Sequence, residues 1–301
     1  MINTHHAAHP LHSFAEAITQ VQSAGKTDFT MANGDVAKLT RTKLLQNYEA
    51  ILRMAGIEQI LGESIGRVTD SEKVQLANAE LSHFADVPAY WVMPLGERIH
   101  HSRRLKSLPV ALLNRVAKLK DFRDAVMHGE QASFGKETRK AIRQAYEDLL
   151  EHGKHTPTQA LRARIEAVSR AKADNASADE MLSTLRTLYQ AIESEVEIRT
   201  AIKEAGIFKG ILPHVESIFE LMRASDLHRE IFKRDNLAWK FRASALVRNH
   251  LVHGSILTPT KRQSDVVEQA HQLLGQAVAE LRFKQAGGRA STGEFHNKIS
   301  L

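Results

Sequence analysis

The sequence predicts an all-α protein made of two tandem helical bundles related by an internal repeat, on three observations. Arg123-Asp124-Ala125-Val126-Met127-His128-Gly129 recurs as Arg248-Asn249-His250-Leu251-Val252-His253-Gly254, 125 positions later. The flanks recur in the same register: Leu112, Val116, Phe122 and Val126 fall on Leu237, Phe241, Val247 and Leu251, and Ile142, Ala145 and Leu149 on Val267, Ala270 and Leu274. Apolar residues otherwise return at the three-to-four spacing of helices, with few aromatics and seven prolines, and no alternating strand pattern competes.

Residues 1–34 are polar and rich in histidine and are expected to be loosely ordered up to a cap at Asp35. The first domain spans 35–151. Its helices begin with a stripe of Leu44, Leu45, Tyr48, Ile51 and Leu52, continue after Ser71 through Val74, Leu81 and Phe84, and are interrupted at Pro88, Pro94 and Gly96. A long helix starts near Pro109, a residue suited to a first turn, and ends at His128, with Gly129 placed to stop it; another covers 136–151. Residues 152–178 form a linker or connecting helix through Leu161, Ile165 and Val168.

The second domain, 179–283, opens with Met181, Leu182, Leu185, Leu188, Tyr189, Ile192 and Val196 on one helical face, closing at Gly206. Helices follow near Pro213 to Arg223 and Asn236 to His253. The last, after Ser264, has the cleanest amphipathic pattern: Val266, Val267, Ala270, Leu273, Leu274, Ala277, Val278 and Leu281. Residues 284–301 turn to Gly, Ser and charge and read as a flexible tail.

With 301 residues the chain is long enough for two domains of ordinary size. The absence of cysteine rules out disulfides, thiolate metal sites and a cysteine nucleophile, and is compatible with a reducing cytoplasm. No stretch approaches a membrane span, and the N-terminus lacks the apolar run of a secretory signal. The formal charge of +6 favours a polyanionic partner.

The repeated motif carries the chemistry. A bare Arg-x4-His match occurs by accident in a chain of this composition, and Arg223 with His228 is such a match, lacking the polar second residue and the trailing Gly. In the two full copies, residues four apart share a helical face, so Asp124 lies beneath His128 and Asn249 beneath His253, each placed to orient the ring. The arginine lies about 140° round the helix and must reach with its long side chain, whose planar fork suits a phosphate. Each histidine sits at a helix C-terminus, where the dipole favours imidazolium and is expected to raise its pKa.

Arg248-Asn249-His250-Leu251-Val252-His253 resembles the motif of HEPN domains, helical bundles whose ribonuclease members carry Arg, a polar residue, a few others, then His, commonly followed by Gly. Arg123-Asp124-Ala125-Val126-Met127-His128 resembles it with Asp in the second position. The resemblance covers about residues 35–151 and 179–283 and is specific around the two motifs. It implies a metal-independent RNA endonuclease with a composite site of Arg123, His128, Arg248 and His253, needing no cofactor and leaving 2′,3′-cyclic phosphate and 5′-hydroxyl ends. It also implies RNA as partner, a toxin or antiviral defence role, and leaves room for an antitoxin or regulatory protein and for a homodimer. The alternatives are a non-catalytic HEPN-like module that binds RNA, a nucleotide or a protein, and a helical scaffold.

Further candidates are basic. Arg98, Arg103, Arg104 and Lys106 precede the first motif helix, and Lys261 and Arg262 follow the second motif; both groups are candidates for guiding a phosphate backbone or are solvated surface. Trp91, Trp239 and Phe241 are read as core before base-stacking residues. His5, His6, His9 and His12 have no nearby carboxylate or cysteine, and no metal site is expected there.

Overall fold

The computed structural model describes residues 14–31, 34–64, 95–152, 155–171, 175–204 and 235–285. These form, in order, α1 (Phe14–Ala24), β1 (Lys26–Thr30), β2 (Val36–Thr40), α2 (Arg41–Ser64), α3 (Leu95–Leu105), α4 (Val110–Met127), α5 (Lys136–His152), α6 (Gln159–Ala171), α7 (Asn175–Glu204), α8 (Leu237–Val252) and α9 (Lys261–Gln285). The class is all-α, with a single antiparallel hairpin, β1 to β2, among the described residues.

Helix ends follow local chemistry. Thr260 and Gln263 make a reciprocal capping box at α9: the Gln263 amide donates to Thr260 Oγ1 at 3.2 Å and the Thr260 amide to Gln263 Oε1 at 2.8 Å. Thr158 caps α6 through Oγ1, which accepts from the Leu161 amide at 3.4 Å. Both motif helices end in the same Schellman turn. His128 and His253 are the C-cap residues, Gly129 and Gly254 follow at φ +76° and +67°, and the amides of Glu130 and Ser255 reach back to the carbonyls of Ala125 and His250 at 2.7 and 3.0 Å.

At Gly254 the turn is also crowded, because a Cβ there would lie 3.1 Å from both Ala55 Cβ and Leu161 Cδ2. We expect Gly254→Ala to lower stability by about 1–3 kcal/mol, through the left-handed backbone and the contact together, read as a shift in the urea midpoint.

The apolar faces of both halves meet in one core. Leu44, Leu45, Ile51 and Leu52 of α2, Leu113 and Val116 of α4, and Leu182, Leu185, Tyr189 and Ile192 of α7 all belong to it. Polar bonds span it as well. Asn47 donates to the Tyr189 hydroxyl at 2.9 Å and accepts from the Phe134 amide at 3.0 Å, while Tyr189 donates to the Ala132 carbonyl at 2.6 Å. The loop that follows His128 is thereby fastened to both α2 and α7.

The structure departs from the sequence expectation at the N-terminus. Residues expected to be loose form α1 and β1, because Phe14, Ile18 and Val21 make a short helical stripe that is fully buried, and α1 packs on α7 in the other half. The hairpin escapes a pattern search because each five-residue strand buries only one residue, Phe29 or Leu39. Between the halves, the connecting-helix alternative is realised as α6, and α7 begins at Asn175, ahead of the expected start at 179. Gly96, expected to break helix, lies in the first turn of α3. The helices expected after Ser71 and near Pro213 to Arg223, the breaks at Pro88 and Pro94, the stop at Gly206, the decoy Arg223 and His228, and the tail from 286 onward lie outside the described residues.

The start of α1 is held by a carboxylate from α7: Glu193 Oε1 accepts from the Ala15 amide at 2.9 Å, and His271 Nε2 of α9 lies 3.6 Å from the other oxygen. Burial pushes Glu193 up to about 8, against the pull of the Ala15 and Phe14 amides. A folded pKa above the ordinary 4.5 means that stability is fully present below 4.5 and is lost as pH rises through about 8. Urea midpoints of the wild type should therefore fall across that window relative to Glu193→Gln; parallel curves would refute the assignment.

Candidate active site

The site is assembled from α2, α4, α7 and α8, and its centre is a pair of buried carboxylates. Glu58 of α2 and Glu195 of α7 are 1% and 2% exposed, and each is held by one motif arginine and one motif histidine. The pairing is crossed. Glu58 takes Arg123 Nη2 at 2.7 Å from the first motif and His253 Nδ1, in close contact, from the second. Glu195 takes Arg248 Nη1, in close contact, from the second motif and faces His128 Nδ1 at 3.5 Å from the first.

Each arginine also grips the residue that follows it. Arg123 Nη1 donates to Asp124 Oδ1 at 2.7 Å; Arg248 Nε and Nη2 donate to Asn249 Oδ1 at 3.1 and 2.7 Å. The polar second residue of the motif therefore positions the arginine. This corrects the expectation that Asp124 and Asn249 orient the histidine rings; those rings are turned instead by the carboxylates of the opposite half. Asp124 carries an acidic charge into the site, but Lys120 Nζ at 2.7 Å and Arg123 answer it and, against burial, hold its pKa down.

Two further cations complete the set. Arg199, one turn beyond Glu195 on α7, donates to Glu195 Oε1 through Nε at 3.0 Å and Nη2 at 2.6 Å, and its Nη2 lies 3.3 Å from His128 Nδ1. Arg98 of α3 is 1% exposed, donates to the Glu58 backbone carbonyl at 3.0 Å and lies 3.9 Å from its carboxylate. Its burial removes Arg98 from the set expected to guide a phosphate backbone. That segment is helical, and the face bearing Arg98 and Ile99 packs inward.

The electrostatics follow from these contacts. Burial alone would raise both glutamates, but Arg123, His253 and Arg98 hold Glu58 down at about 2, and Arg248, His128 and Arg199 hold Glu195 at about 2. Both are ionised at neutral pH. His253 does not follow the helix-dipole expectation: burial lowers its pKa, Glu58 opposes this, and the nearby Arg123 and Arg98 add to the lowering. Its buried neighbour His250, whose Nδ1 lies 2.7 Å from Ser255 Oγ, is pushed to about 4 by burial and by the charge of His253. Arg248 is depressed by burial and by the repulsion of Arg199 and Arg123, so the two motif arginines lie within electrostatic reach of each other.

Two consecutive residues of α2 seat His253. Glu58 holds its ring, and Gln59 Nε2 donates to its backbone carbonyl at 3.1 Å while Gln59 Oε1 accepts from the Thr158 amide at 3.1 Å. His128 is the more open of the pair, with its side chain 34% exposed against 17% for His253.

Arg123, Asp124, His128, Arg248, Asn249 and His253 are thus brought together. Arg103, Arg104 and Lys106 sit at the exposed end of α3, with Arg103 Nη2 on Asn114 Oδ1 at 2.7 Å, and Lys261 and Arg262 are exposed in the first turn of α9. Phe241 is core and Trp239 is 37% exposed; Trp91 and the N-terminal histidines lie outside the described residues. No cluster of metal-ligating side chains occurs among the described residues. No described helix is long and apolar enough to cross a membrane.

Sequence reasoning missed Glu58, Glu195 and Arg199. A signal for the glutamates was present: Leu44, Leu45, Tyr48, Ile51, Leu52 and Ala55 lead at helical spacing to Glu58, and Met181, Leu182, Leu185, Leu188, Tyr189 and Ile192 lead to Glu195. A carboxylate on an apolar stripe is buried and needs a cationic partner. Searches of protein-family models, curated proteins and solved structures each returned no match to this chain.

Proposed function

We propose that this protein is a metal-independent RNA endonuclease of the HEPN kind, its site composed of both motifs of a single chain. The observation that carries the reading is the crossed pairing, in which each buried glutamate joins the arginine of one motif to the histidine of the other. RNA cleavage without a metal needs a base for the 2′-hydroxyl, an acid for the departing 5′-oxygen and positive charge for the phosphorane between them. Two histidines and two arginines, placed by rigid helices, supply these parts. The products are a 2′,3′-cyclic phosphate and a 5′-hydroxyl, and DNA, lacking the attacking group, is not a substrate. A second molecule is not required to complete the site.

The binding-module reading draws on one specific observation: both motif arginines already have carboxylate partners, as they would in a purely structural role. Two variants separate the readings. Wild type incubated with total RNA in EDTA should give fragments with cyclic-phosphate ends, and His253→Ala should give none while remaining folded by circular dichroism. Undiminished RNA binding without cleavage by the wild type would overturn the nuclease and leave the module. A toxin or antiviral defence role in the cytoplasm, restrained by an antitoxin or regulatory protein, is the biological setting that the HEPN resemblance suggests for such an enzyme.

A further inference from the structure

The two halves of the site are built alike but are not equivalent, and the difference lies at the histidines. His253 Nδ1 is in close contact with Glu58, a carboxylate that only accepts. The ring hydrogen is therefore on Nδ1, and Nε2 carries the lone pair. His128 Nδ1 has a different neighbour at its shortest contact: Arg199 Nη2 at 3.3 Å, a group that only donates. Glu195 Oε1 lies almost as near, at 3.5 Å, so the neutral His128 ring is not pinned to one tautomer as His253 is. In the His128 imidazolium the Nδ1–H faces Glu195 Oε1, 3.5 Å away, and is kept there, so the Nε2–H is the proton the ring can give away. His128 is also twice as exposed as its counterpart and so the more open of the two to solvent.

We infer that the site has a fixed polarity, with His253 as the general base that takes the 2′-hydroxyl proton and His128 as the general acid that protonates the leaving 5′-oxygen. The inference rests on the nuclease reading. In the step itself, His253 Nε2 accepts the proton of the 2′-hydroxyl, the 2′-oxygen bonds to phosphorus, the bond from phosphorus to the 5′-oxygen breaks, and that oxygen takes the Nε2 proton of the His128 imidazolium. His253 leaves the step charged and His128 neutral, and solvent restores both. Glu58 stabilises the charge appearing on His253, in the manner of the carboxylate behind a catalytic histidine. The RNA strand accordingly lies across the site in one direction, with its 2′-hydroxyl side towards α8 and its 5′-oxygen side towards α4, although the motifs repeat.

The test uses two substrates with the full chain: a dinucleotide, whose alkoxide leaving group needs an acid, and a uridine 3′-(p-nitrophenyl phosphate), whose leaving group does not. His128→Ala is expected to lose about 10²–10⁴-fold on the dinucleotide and less than about 10-fold on the activated ester, whereas His253→Ala loses about 10²–10⁴-fold on both. Equal losses in the two variants, or rescue of His253→Ala instead, would overturn the assignment while leaving the nuclease standing. A wild type inert on both substrates would overturn the nuclease itself. Nitrogen-15 spectra of the imidazoles, assigned with the same variants, read the base side without turnover: neutral His253 should be the Nδ1–H tautomer, and an Nε2–H ring there would refute the inference.

Discussion

On the nuclease reading proposed above, Glu58→Gln should abolish RNA cleavage, by a factor on the order of 10⁴, in a protein that still folds. The expectation comes from the tautomer of His253. A carboxylate at position 58 forces the ring hydrogen onto Nδ1 and leaves Nε2 basic. An amide keeps the volume but offers an NH₂ group to the same nitrogen, so the ring turns to the tautomer that cannot take a proton at Nε2; in hydrolases built on a carboxylate behind a histidine this exchange alone costs about that factor. Glu58→Ala should fail in a different way. Either variant removes the counter-charge of Arg123 and the buried Arg98, but the amide keeps an oxygen for Arg123 and alanine does not, so Glu58→Ala should lose more stability, about 3–5 kcal/mol, read in the urea midpoint. A Gln variant that cleaves at the wild-type rate would mean that Glu58 only braces the fold.

Acid should dismantle the fold from the same place. Glu58 and Glu195, held at about 2 against an ordinary 4.5, have folded pKa values below those of the unfolded chain. Their contribution is therefore present above 4.5 and is lost as pH falls from there to about 2, about 3 kcal/mol for each. His250, neutral in the fold down to about 4 against an ordinary 6.5, has the same sign: its contribution is present above 6.5 and lost as pH falls between those values. Together they match a large share of the stability of an ordinary domain, about 5–15 kcal/mol. Urea titrations should show a steep decline below pH 4.5, where protonation of Glu193 no longer offsets the loss from His250, and a Glu58→Gln, Glu195→Gln double variant should show a shallower one. A wild type equally stable at pH 3 and pH 7 would contradict the buried network.

What the sequence disclosed depended on whether a feature is local. The ends of α4 and α8 were legible because His-Gly at a helix terminus specifies the Schellman turn within six residues, and the apolar stripe of α9 was legible because its period is unbroken. The partners of the motifs were not. The motifs repeat in a 125-residue register, whereas Glu195 follows Glu58 by 137 positions, a shift of twelve that leaves Ser183 at the position matching Glu58. Arg98 was read as surface because it lies in a basic run, and only the fold brings it against Glu58. α1 was obscured by its flanks: the stripe of Phe14, Ile18 and Val21 is short and stands between polar segments.

The crossed pairing has a consequence for dissection of the molecule. Since the arginine and histidine that share a glutamate come from opposite halves, neither half alone contains a complete set. In a chain severed at α6, neither glutamate would have both its arginine and its histidine until the two fragments reassembled. The fold is in that sense a natural lock with two keys, suited to reporting the meeting of any two proteins to which its halves are fused.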